Sequence, residues 1–229
     1  MPAARQARPR TLTVERIVET AVGITEAEGV EAMSMRRLAQ ALGVTPMALY
    51  GHVGDKHDLL DLIADRYLGE LELPGDDVPW EEWLGGLFGS LHVLMRQRPV
   101  LAQVLVNQPV KARAARSMAD ATLGVLRANG FEDRLAVEVF VVLASYTVGF
   151  TLNQTARLRP PERTADDQLR SLRERGSEYP HLAAAAEPFV NWPYHDLFDH
   201  GLRLLIGAYA HQPGGEEGIS GPGPVAGCR

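Results

Sequence analysis

The feature that most constrains this chain is a glycine-centred stretch from Ser34 to Lys56, which reads SMRRLAQALGVTPMALYGHVGDK. Ala39, Gly43 and Leu49 stand at the spacing of two short helices that cross closely at a tight turn. A small residue at the first position permits the close approach, and glycine at the second permits the positive φ of the turn. The apolar residue at the third position holds the second helix against the first. The spacing therefore predicts a helix-turn-helix unit.

Capping residues and apolar periodicity predict helices along the rest of the chain. Thr13 caps a first helix that runs to about Glu28, where Gly29 ends it. Asp55 caps a fourth helix, and the segment Leu73–Pro79, with two prolines, marks a domain boundary. Further helices are expected at about 80–97, 100–106, 111–129, 133–158, 183–189 and 194–209, with 159–178 as a mobile loop or a poorly packed helix. Because no convincing strand alternation occurs, the sequence predicts an all-α fold.

The charge of the chain is unevenly distributed. The net charge is −6, so the molecule as a whole is not an electrostatic binder of nucleic acid. Between Ser34 and His52, however, Arg36 and Arg37 stand without any acidic residue. If the chain binds DNA, it must use such local charge. The segment 1–11, which is basic, is expected to be disordered. This segment either contacts DNA phosphates or has no role.

Cysteine usage and hydropathy indicate a cytoplasmic protein. The one cysteine, Cys228, cannot form an intrachain disulfide, which fits a reducing compartment. The arginine-rich N-terminus lacks the apolar core of a secretory signal. The longest uncharged apolar run, Val139–Leu152, is too short to cross a bilayer. We therefore expect no membrane partner.

The second helix of the predicted unit, about Thr45–His52, is expected to enter the major groove of DNA with its N-terminal end. Its small and apolar side chains suit thymine methyl groups, while Tyr50 and His52 suit the DNA backbone. Arg36 on the preceding helix is the candidate for a bidentate contact to guanine, and Lys56 suits a phosphate. The predicted DNA-contacting residues are Arg36, Thr45, Pro46, Met47, Ala48, Tyr50, Gly51, His52 and Lys56.

Three of these residues have an alternative interpretation that the sequence leaves open. Met47 and Leu49 both suit the core, and Leu49 is the stronger core candidate. One of Arg36 and Arg37 is expected to lie on a solvated face with no DNA contact. His52 suits helix capping or phosphate binding better than catalysis.

The residues around the helix-turn-helix carry a family resemblance. The run MRRLAQALGVTPMALYGHVGDKHDLLD, after a long helix that ends in Glu-Gly, resembles the TetR family of repressors. The C-terminal runs LRANGFEDRLAVEVFVVLASYTVGF and EPFVNWPYHDLFDHGLRLLIGAY are similar to the subgroup that contains the tetracycline repressor. The resemblance implies a three-helix N-terminal unit, a connecting fourth helix, and a C-terminal helical domain that dimerises and binds an inducer.

Four segments follow from this organisation. The expected boundaries are a disordered basic arm at 1–11, a helix-turn-helix DNA-binding domain at 12–70, a regulatory and dimerisation domain at 80–211, and a disordered tail at 212–229. The partners implied are a double-stranded DNA operator, a small-molecule inducer and a second copy of the chain.

The ligand pocket of such a domain should be mostly apolar, with a few polar groups that fix the ligand. His92 and Asn107 are preferred candidates because a polar group on an apolar face needs a partner. For each candidate the alternative is plain core packing. The candidate ligand-binding residues are Trp83, Leu87, Phe88, Leu91, His92, Met95, Leu105, Asn107, Tyr146, Phe150, Asn153 and Trp192, with Gln154 on the same helices.

The resemblance also contains a departure. Tetracycline repressors hold a drug–magnesium complex with histidines, an asparagine, a phenylalanine and a threonine on these helices. The corresponding positions here carry Glu72, Leu87, Leu91, Leu105 and Gln108. Since a metal-binding histidine and the asparagine are missing, we expect a hydrophobic or aromatic ligand and neither magnesium nor another cofactor.

Two antiparallel helices per subunit, about 133–158 and 194–210, are expected to form a four-helix bundle with a partner subunit. Two-fold symmetry would then set the recognition helices about 34–36 Å apart on a palindromic operator. Burial inside one subunit is the alternative for the apolar stripes on these helices. The stripes are Val137, Phe140, Val141, Ala144, Val148 and Thr151 on the first, and Phe198, Leu202, Leu205, Ile206 and Tyr209 on the second.

Three rival functions remain open from the sequence. His195 and Asp199 have the i, i+4 spacing of a metal pair, but no third ligand stands at a defined spacing, which disfavours an enzyme. A dimeric regulator without a ligand is the second rival. An activator is the third, because the sign of regulation depends on operator position and not on the fold.

Overall fold

In the computed structural model, residues 11–75, 77–107, 111–157, 164–191 and 194–210 are described. Within these ranges the chain is helical and contains no strand, which confirms the all-α prediction. The predicted tail and Trp192 lie outside the described residues, and so does the predicted arm except for Thr11. The helices are α1 (Val14–Glu28), α2 (Met35–Leu42), α3 (Pro46–Tyr50), α4 (Lys56–Leu68), α5 (Trp80–Gln97), α6 (Pro99–Asn107), α7 (Arg113–Ala128), α8 (Asp133–Arg157), α9 (Ala165–Glu174), α10 (Pro180–Ala184), α11 (Ala186–Val190) and α12 (Tyr194–Ala210).

Side-chain caps start the N-terminal helices where the sequence predicts them. The Thr13 hydroxyl accepts a hydrogen bond from the Arg16 amide at 3.3 Å, and Asp55 Oδ1 accepts one from the Asp58 amide at 2.9 Å. These bonds satisfy backbone N–H groups that have no partner inside the helix. Gly43 ends α2 with φ +70°, a left-handed conformation in which any other residue would be strained. The turn that the spacing predicts is therefore present.

The chain divides into two compact units. The first joins the residues up to Glu72 with Leu91–Met118, and the second joins Leu73–Ser90 with the residues from Ala119 onward. The segment Leu91–Met118 covers the end of α5, all of α6 and the start of α7. By its contacts, this segment belongs with the N-terminal helices and not with the later ones.

In the second unit, α8 packs against α12 through aromatic side chains. The Tyr146 ring stacks on Phe198 with centroids 5.5 Å apart, and its hydroxyl donates a hydrogen bond to the Phe198 carbonyl at 3.1 Å. A Cβ at Gly201 would collide with the Tyr146 hydroxyl. The absence of a side chain at this position thus allows the two helices to approach.

The segment between α8 and α12 is more helical than the sequence suggested. Ala165–Glu174 forms a helix with a capping box between Thr164 and Asp167, and none of its residues is buried. Of the two alternatives, the poorly packed helix is therefore correct for this stretch. One helix was predicted at 183–189, but two short helices, α10 and α11, meet at Ala185.

Candidate DNA-binding surface and regulatory domain

The second helix of the helix-turn-helix, α3, presents an exposed apolar surface. Met47 is 78% exposed and Tyr50 50% exposed, whereas Leu49 is fully buried against the rest of the unit. Thr45, Pro46, Ala48, Gly51 and His52 are exposed as well. Of the two core candidates in α3, only Leu49 is a core residue, and Met47 is free to contact a partner.

Local geometry distinguishes the two arginines of α2. Arg37 pairs with Glu28 through Nη2–Oε1 at 2.5 Å and Nε–Oε2 at 3.2 Å, and this hydrogen bonding lowers the pKa of Glu28. Arg36 is exposed and makes no hydrogen bond or ion pair with the part of the chain that the structure describes. Arg36 is therefore the arginine that remains available for DNA.

Lys56, at the start of α4, has a structural contact that the sequence did not suggest. Its Nζ donates a hydrogen bond to the Val30 carbonyl at 3.4 Å, and the side chain is half-buried. The bond ties α4 to the turn between α1 and α2. An ammonium group carries three donors, so this bond leaves donors for a phosphate.

A polar junction joins α1, α4 and the single residue between α5 and α6 inside the first unit. The buried Tyr67 donates its hydroxyl hydrogen to Glu26 Oε1 at 2.8 Å. The Arg98 guanidinium lies 5.7 Å from the centre of the Tyr67 ring, and its Nη1 is 3.9 Å from Glu26 Oε1. Burial, together with the hydrogen bond to Glu26, raises the pKa of Tyr67, so the hydroxyl remains a donor. We call these three residues the Glu26–Tyr67–Arg98 junction.

A second polar contact joins α4 to the start of α7. Asp65 Oδ1 accepts a hydrogen bond from the Ala114 amide at 2.7 Å. Ala114 lies in the first turn of α7, so Asp65 satisfies one of the amides that a helix start leaves unpaired. Sequence reasoning missed both contacts, because their partners stand 31 to 72 positions apart in the chain. The only signal was Tyr67 on an apolar face, since a buried tyrosine hydroxyl needs a partner.

The predicted ligand-binding residues divide between the two units. In the first unit, Leu91, His92 and Met95 are buried on α5, and Leu105 is half-buried on α6. The Asn107 side chain is outside the description. In the second unit, Trp83, Leu87 and Phe88 are buried, Tyr146 and Phe150 are half-buried, and Asn153 is exposed. Each of these roles stays a prediction.

Two family models match the chain. One, described as bacterial regulatory proteins of the tetR family, matches residues 17–63 and so spans α1 to α4. The other, described as the tetracyclin repressor-like C-terminal domain, matches residues 73–208, more than half of the chain. The chain belongs to the TetR family. The two matches confirm the prediction of a helix-turn-helix regulator and the predicted resemblance of the C-terminal half to tetracycline repressors.

Curated relatives and a solved structure agree with the TetR assignment. The repressor DrrR1 of Streptomyces coeruleorubidus is 32% identical over 86% of this chain and 76% of its own length. The class C tetracycline repressor of Escherichia coli is 31% identical over 84% of this chain and 88% of its own. The Streptomyces coelicolor TetR family protein ActR, in complex with actinorhodin, is 31% identical, covers 90% and 98% of the two chains, and has a TM-score of 0.79. These relatives are regulators and not enzymes.

The TetR C-terminal domain includes α8, a long and largely apolar helix. Residues Asp133–Thr155 are long and apolar enough, by length and composition alone, to cross a membrane. This helix is longer than the uncharged run Val139–Leu152 of the sequence. The match of the TetR C-terminal model extends over all of α8, and its neighbour α12 packs on it. We therefore treat α8 as a helix of the TetR fold.

The apolar stripes predicted for a TetR dimer interface separate into three groups. The half-buried group consists of Phe140, Ala144, Val148, Leu205 and Tyr209. Val137 and Val141 on α8 are about half exposed. Phe198, Leu202, Ile206 and Thr151 are buried within the second unit. For these four residues the alternative of burial inside one subunit is correct. Leu204, which the prediction omitted, is 61% exposed on α12.

The structure describes the side chain of one of the two residues with metal-pair spacing. Asp199 is exposed on α12, and the His195 side chain is outside the description. Among the described residues, no group of three or more histidine, cysteine, aspartate or glutamate side chains is placed to hold a metal ion.

Proposed function

We propose that the chain is a ligand-responsive transcriptional repressor that binds a palindromic operator as a homodimer and is released by a small apolar or aromatic molecule. DNA binding is supported by the exposed surface of α3 together with Arg36, which has no hydrogen bond or ion pair within the described chain. Met47 and Tyr50 offer apolar contact to thymine methyls or sugars, and Arg36 offers two parallel donors to guanine.

The homodimer rests on the exposed apolar residues of the C-terminal domain. Val137 and Val141 lie one helical turn apart on α8, and Leu204 is exposed on α12. Exposed apolar residues grouped on two packed helices are typical of an interface between subunits. A two-fold axis through this face would place two recognition helices on one side of the DNA, about one helical turn apart.

The inducer class rests on chemistry and on the relatives. ActR, at 31% identity, is solved in complex with actinorhodin. Leu87, Leu91 and Leu105 occupy positions that the tetracycline repressor resemblance assigns to contacts of the drug–magnesium complex, and none of them can bind a metal ion. Apolar side chains there suit a hydrophobic or aromatic molecule.

The Glu26–Tyr67–Arg98 junction supplies a route from ligand to DNA. Arg98 follows α5 directly, three residues after the buried Met95 that we predict to contact the ligand. Arg98 also contacts α1 and α4 of the DNA-binding domain. A ligand that prefers one position of this end of α5 would therefore shift α1 and α4 as well.

Operator selection from random DNA tests the proposal. The full chain should select a palindrome with half-sites about one helical turn apart. Actinorhodin should weaken operator binding, measured by fluorescence anisotropy, by about tenfold or more. Tetracycline with magnesium should cause no release. Binding of tetracycline with magnesium at about micromolar affinity or tighter would contradict the ligand class. Operator binding that no aromatic compound alters would instead favour the ligand-independent regulator.

Arg98→Met is expected to reduce the response to the ligand more than it reduces operator binding. The change removes the guanidinium from Tyr67 and Glu26 but keeps an apolar stem of similar length. We expect operator affinity without ligand to stay within about threefold and the actinorhodin-induced loss of affinity to shrink by about tenfold. Arg96→Met, at an exposed neighbouring arginine, is the matched control. Equal release of both variants would exclude a coupling role for Arg98.

A further inference from the structure

The segment Leu91–Met118 is basic, although the chain as a whole is acidic. It contains five basic residues and no acidic residue, whereas the net charge of the chain is −6. By its contacts the segment belongs to the first unit, which also contains the helix-turn-helix. Local positive charge in a DNA-binding unit is where contacts to the phosphate backbone are expected. The five residues are Arg96, Arg98, Lys111, Arg113 and Arg116.

The start of α7 is fixed to α4, and this places Lys111 within reach of the start of α4. Asp65 Oδ1 accepts the hydrogen bond from the Ala114 amide at 2.7 Å. Lys111 stands three residues before Ala114, so extended chain and side chain together allow its ammonium to lie up to about 16 Å from that bond. Asp55, the N-cap of α4, stands ten residues before Asp65, which corresponds to about 15 Å along the helix axis.

The charge of Lys111 acts on this start of α4. The pKa of Asp55 is lowered, first of all by the hydrogen bond that its carboxylate accepts from the Asp58 amide. The positive charge of Lys111 lowers the pKa of Asp55 further. Because the interaction of two charges weakens with distance, the Lys111 ammonium lies toward the first turn of α4 and not toward its last turn.

Lys111 is accessible to a partner molecule. Its side chain is exposed and forms no hydrogen bond or ion pair with the residues whose positions the structure gives. Lys56, by contrast, is half-buried and donates to the Val30 carbonyl at 3.4 Å. Of the two ammonium groups near the start of α4, that of Lys111 is therefore the more accessible.

The start of α4 carries more negative than positive charge of its own. Asp55 and Asp58 place two carboxylates there, against the one ammonium of Lys56. Two carboxylates repel the phosphate backbone, so a helix start that approaches DNA needs further positive charge. Lys111 supplies that charge from the segment that precedes α7.

We propose that Lys111 binds a phosphate of the operator backbone next to the phosphate that Lys56 contacts. This inference rests on the proposed function, in which the chain binds an operator, and it adds a DNA contact outside the predicted DNA-binding domain at 12–70. The contact strengthens binding without reading a base, because a phosphate carries no sequence information. In a homodimer each subunit supplies one such contact.

Lysine labelling tests the contact on the unaltered full chain, because Lys56 and Lys111 are the two lysines of the sequence. The protein is acetylated with acetic anhydride, alone and on the selected operator, and mass spectrometry measures the labelling of each lysine. Lys111 should react readily in the free protein and lose most of its labelling on the operator. The same mixture at a salt concentration that prevents DNA binding is the control. Equal labelling of Lys111 with and without bound operator would overturn the proposal.

Lys111→Gln measures the contribution of the contact. We expect operator affinity to fall about tenfold, and the slope of log affinity against log salt concentration to fall by about two, one for each subunit. Lys111→Arg keeps the charge and should keep the slope. Arg170→Gln, at an exposed arginine of α9 in the second unit, removes the same charge and should leave the slope unchanged. Fluorescence anisotropy at several salt concentrations gives these values, and an unchanged slope in Lys111→Gln would contradict the phosphate contact.

A purely structural role of Lys111 beside Asp55 gives a different pattern. In that case the melting temperature of Lys111→Gln falls while the salt slope stays at the wild-type value, and this result overturns the proposal. If Lys111→Gln fails to fold, the labelling of the wild-type chain still decides. The wild-type titrations separate the two levels of the argument: absence of operator binding contradicts the proposed function, whereas operator binding that leaves Lys111 fully labelled contradicts this inference alone.

Discussion

Val141→Asp is expected to convert the dimer to a monomer and to weaken operator binding by about 100-fold or more. Val141 is 51% exposed on α8, one turn from the exposed Val137. A two-fold interface would place a carboxylate from each subunit in a dry apolar contact, where an unpaired charge is strongly unfavourable. A monomer holds only one half-site and loses the advantage of two linked contacts. Sedimentation velocity and operator anisotropy measure the two effects.

The chain offers a matched control for this change. Val93 on α5 is 50% exposed and lies outside the proposed interface, so Val93→Asp introduces the same charge at the same exposure. We expect it to remain dimeric. Leu204→Asp on α12 should reproduce the behaviour of Val141→Asp. A Val141→Asp protein that sediments as a dimer would place the interface elsewhere.

Arg36→Ala is expected to weaken binding to the selected operator by roughly tenfold to a hundredfold, the value of one bidentate contact to guanine. The Arg36 guanidinium is exposed and unpaired within the described chain, so its loss disturbs no internal contact. The effect should depend on the base sequence. Against random DNA the variant should lose only the modest affinity of one charge. Anisotropy titrations with both DNAs measure the difference.

Arg37→Ala provides the comparison, since Arg37 is held by Glu28. Its affinity for the operator should change by less than about threefold, because exposed ion pairs contribute little. A larger loss for Arg37→Ala than for Arg36→Ala would reverse the assignment of the two arginines. Equal losses of affinity for the operator and for random DNA would mean that Arg36 contacts a phosphate and not a base.

Short-range spacing explains why the helix-turn-helix could be predicted. The turn at Gly43 and the burial of Leu49 follow from contacts within about one and a half helical turns of the chain. The caps at Thr13 and Asp55 depend on amides only two or three residues away. Local rules determine such features, so the sequence alone is enough.

Features that depend on which element packs against which could not be predicted. Phe198, Leu202 and Ile206 form an apolar stripe that suits a partner subunit or a neighbouring helix equally well, and only the packing of α12 on α8 decides. The hydrogen bond from Lys56 to the Val30 carbonyl could not be predicted either, because no sequence pattern reveals that this carbonyl lies within reach.

The assignment of Leu91–Met118 to the N-terminal unit bears on how such regulators are recombined. The segment Leu73–Pro79 looks like the natural joint at which to graft this DNA-binding domain onto another sensor. A graft made there would separate Glu26 and Tyr67 from Arg98, and Asp65 from the Ala114 amide. A working chimera would have to carry matching residues across the joint. The part of the chain that must be exchanged together is therefore the whole first unit, which consists of the residues up to Glu72 and the separate segment Leu91–Met118.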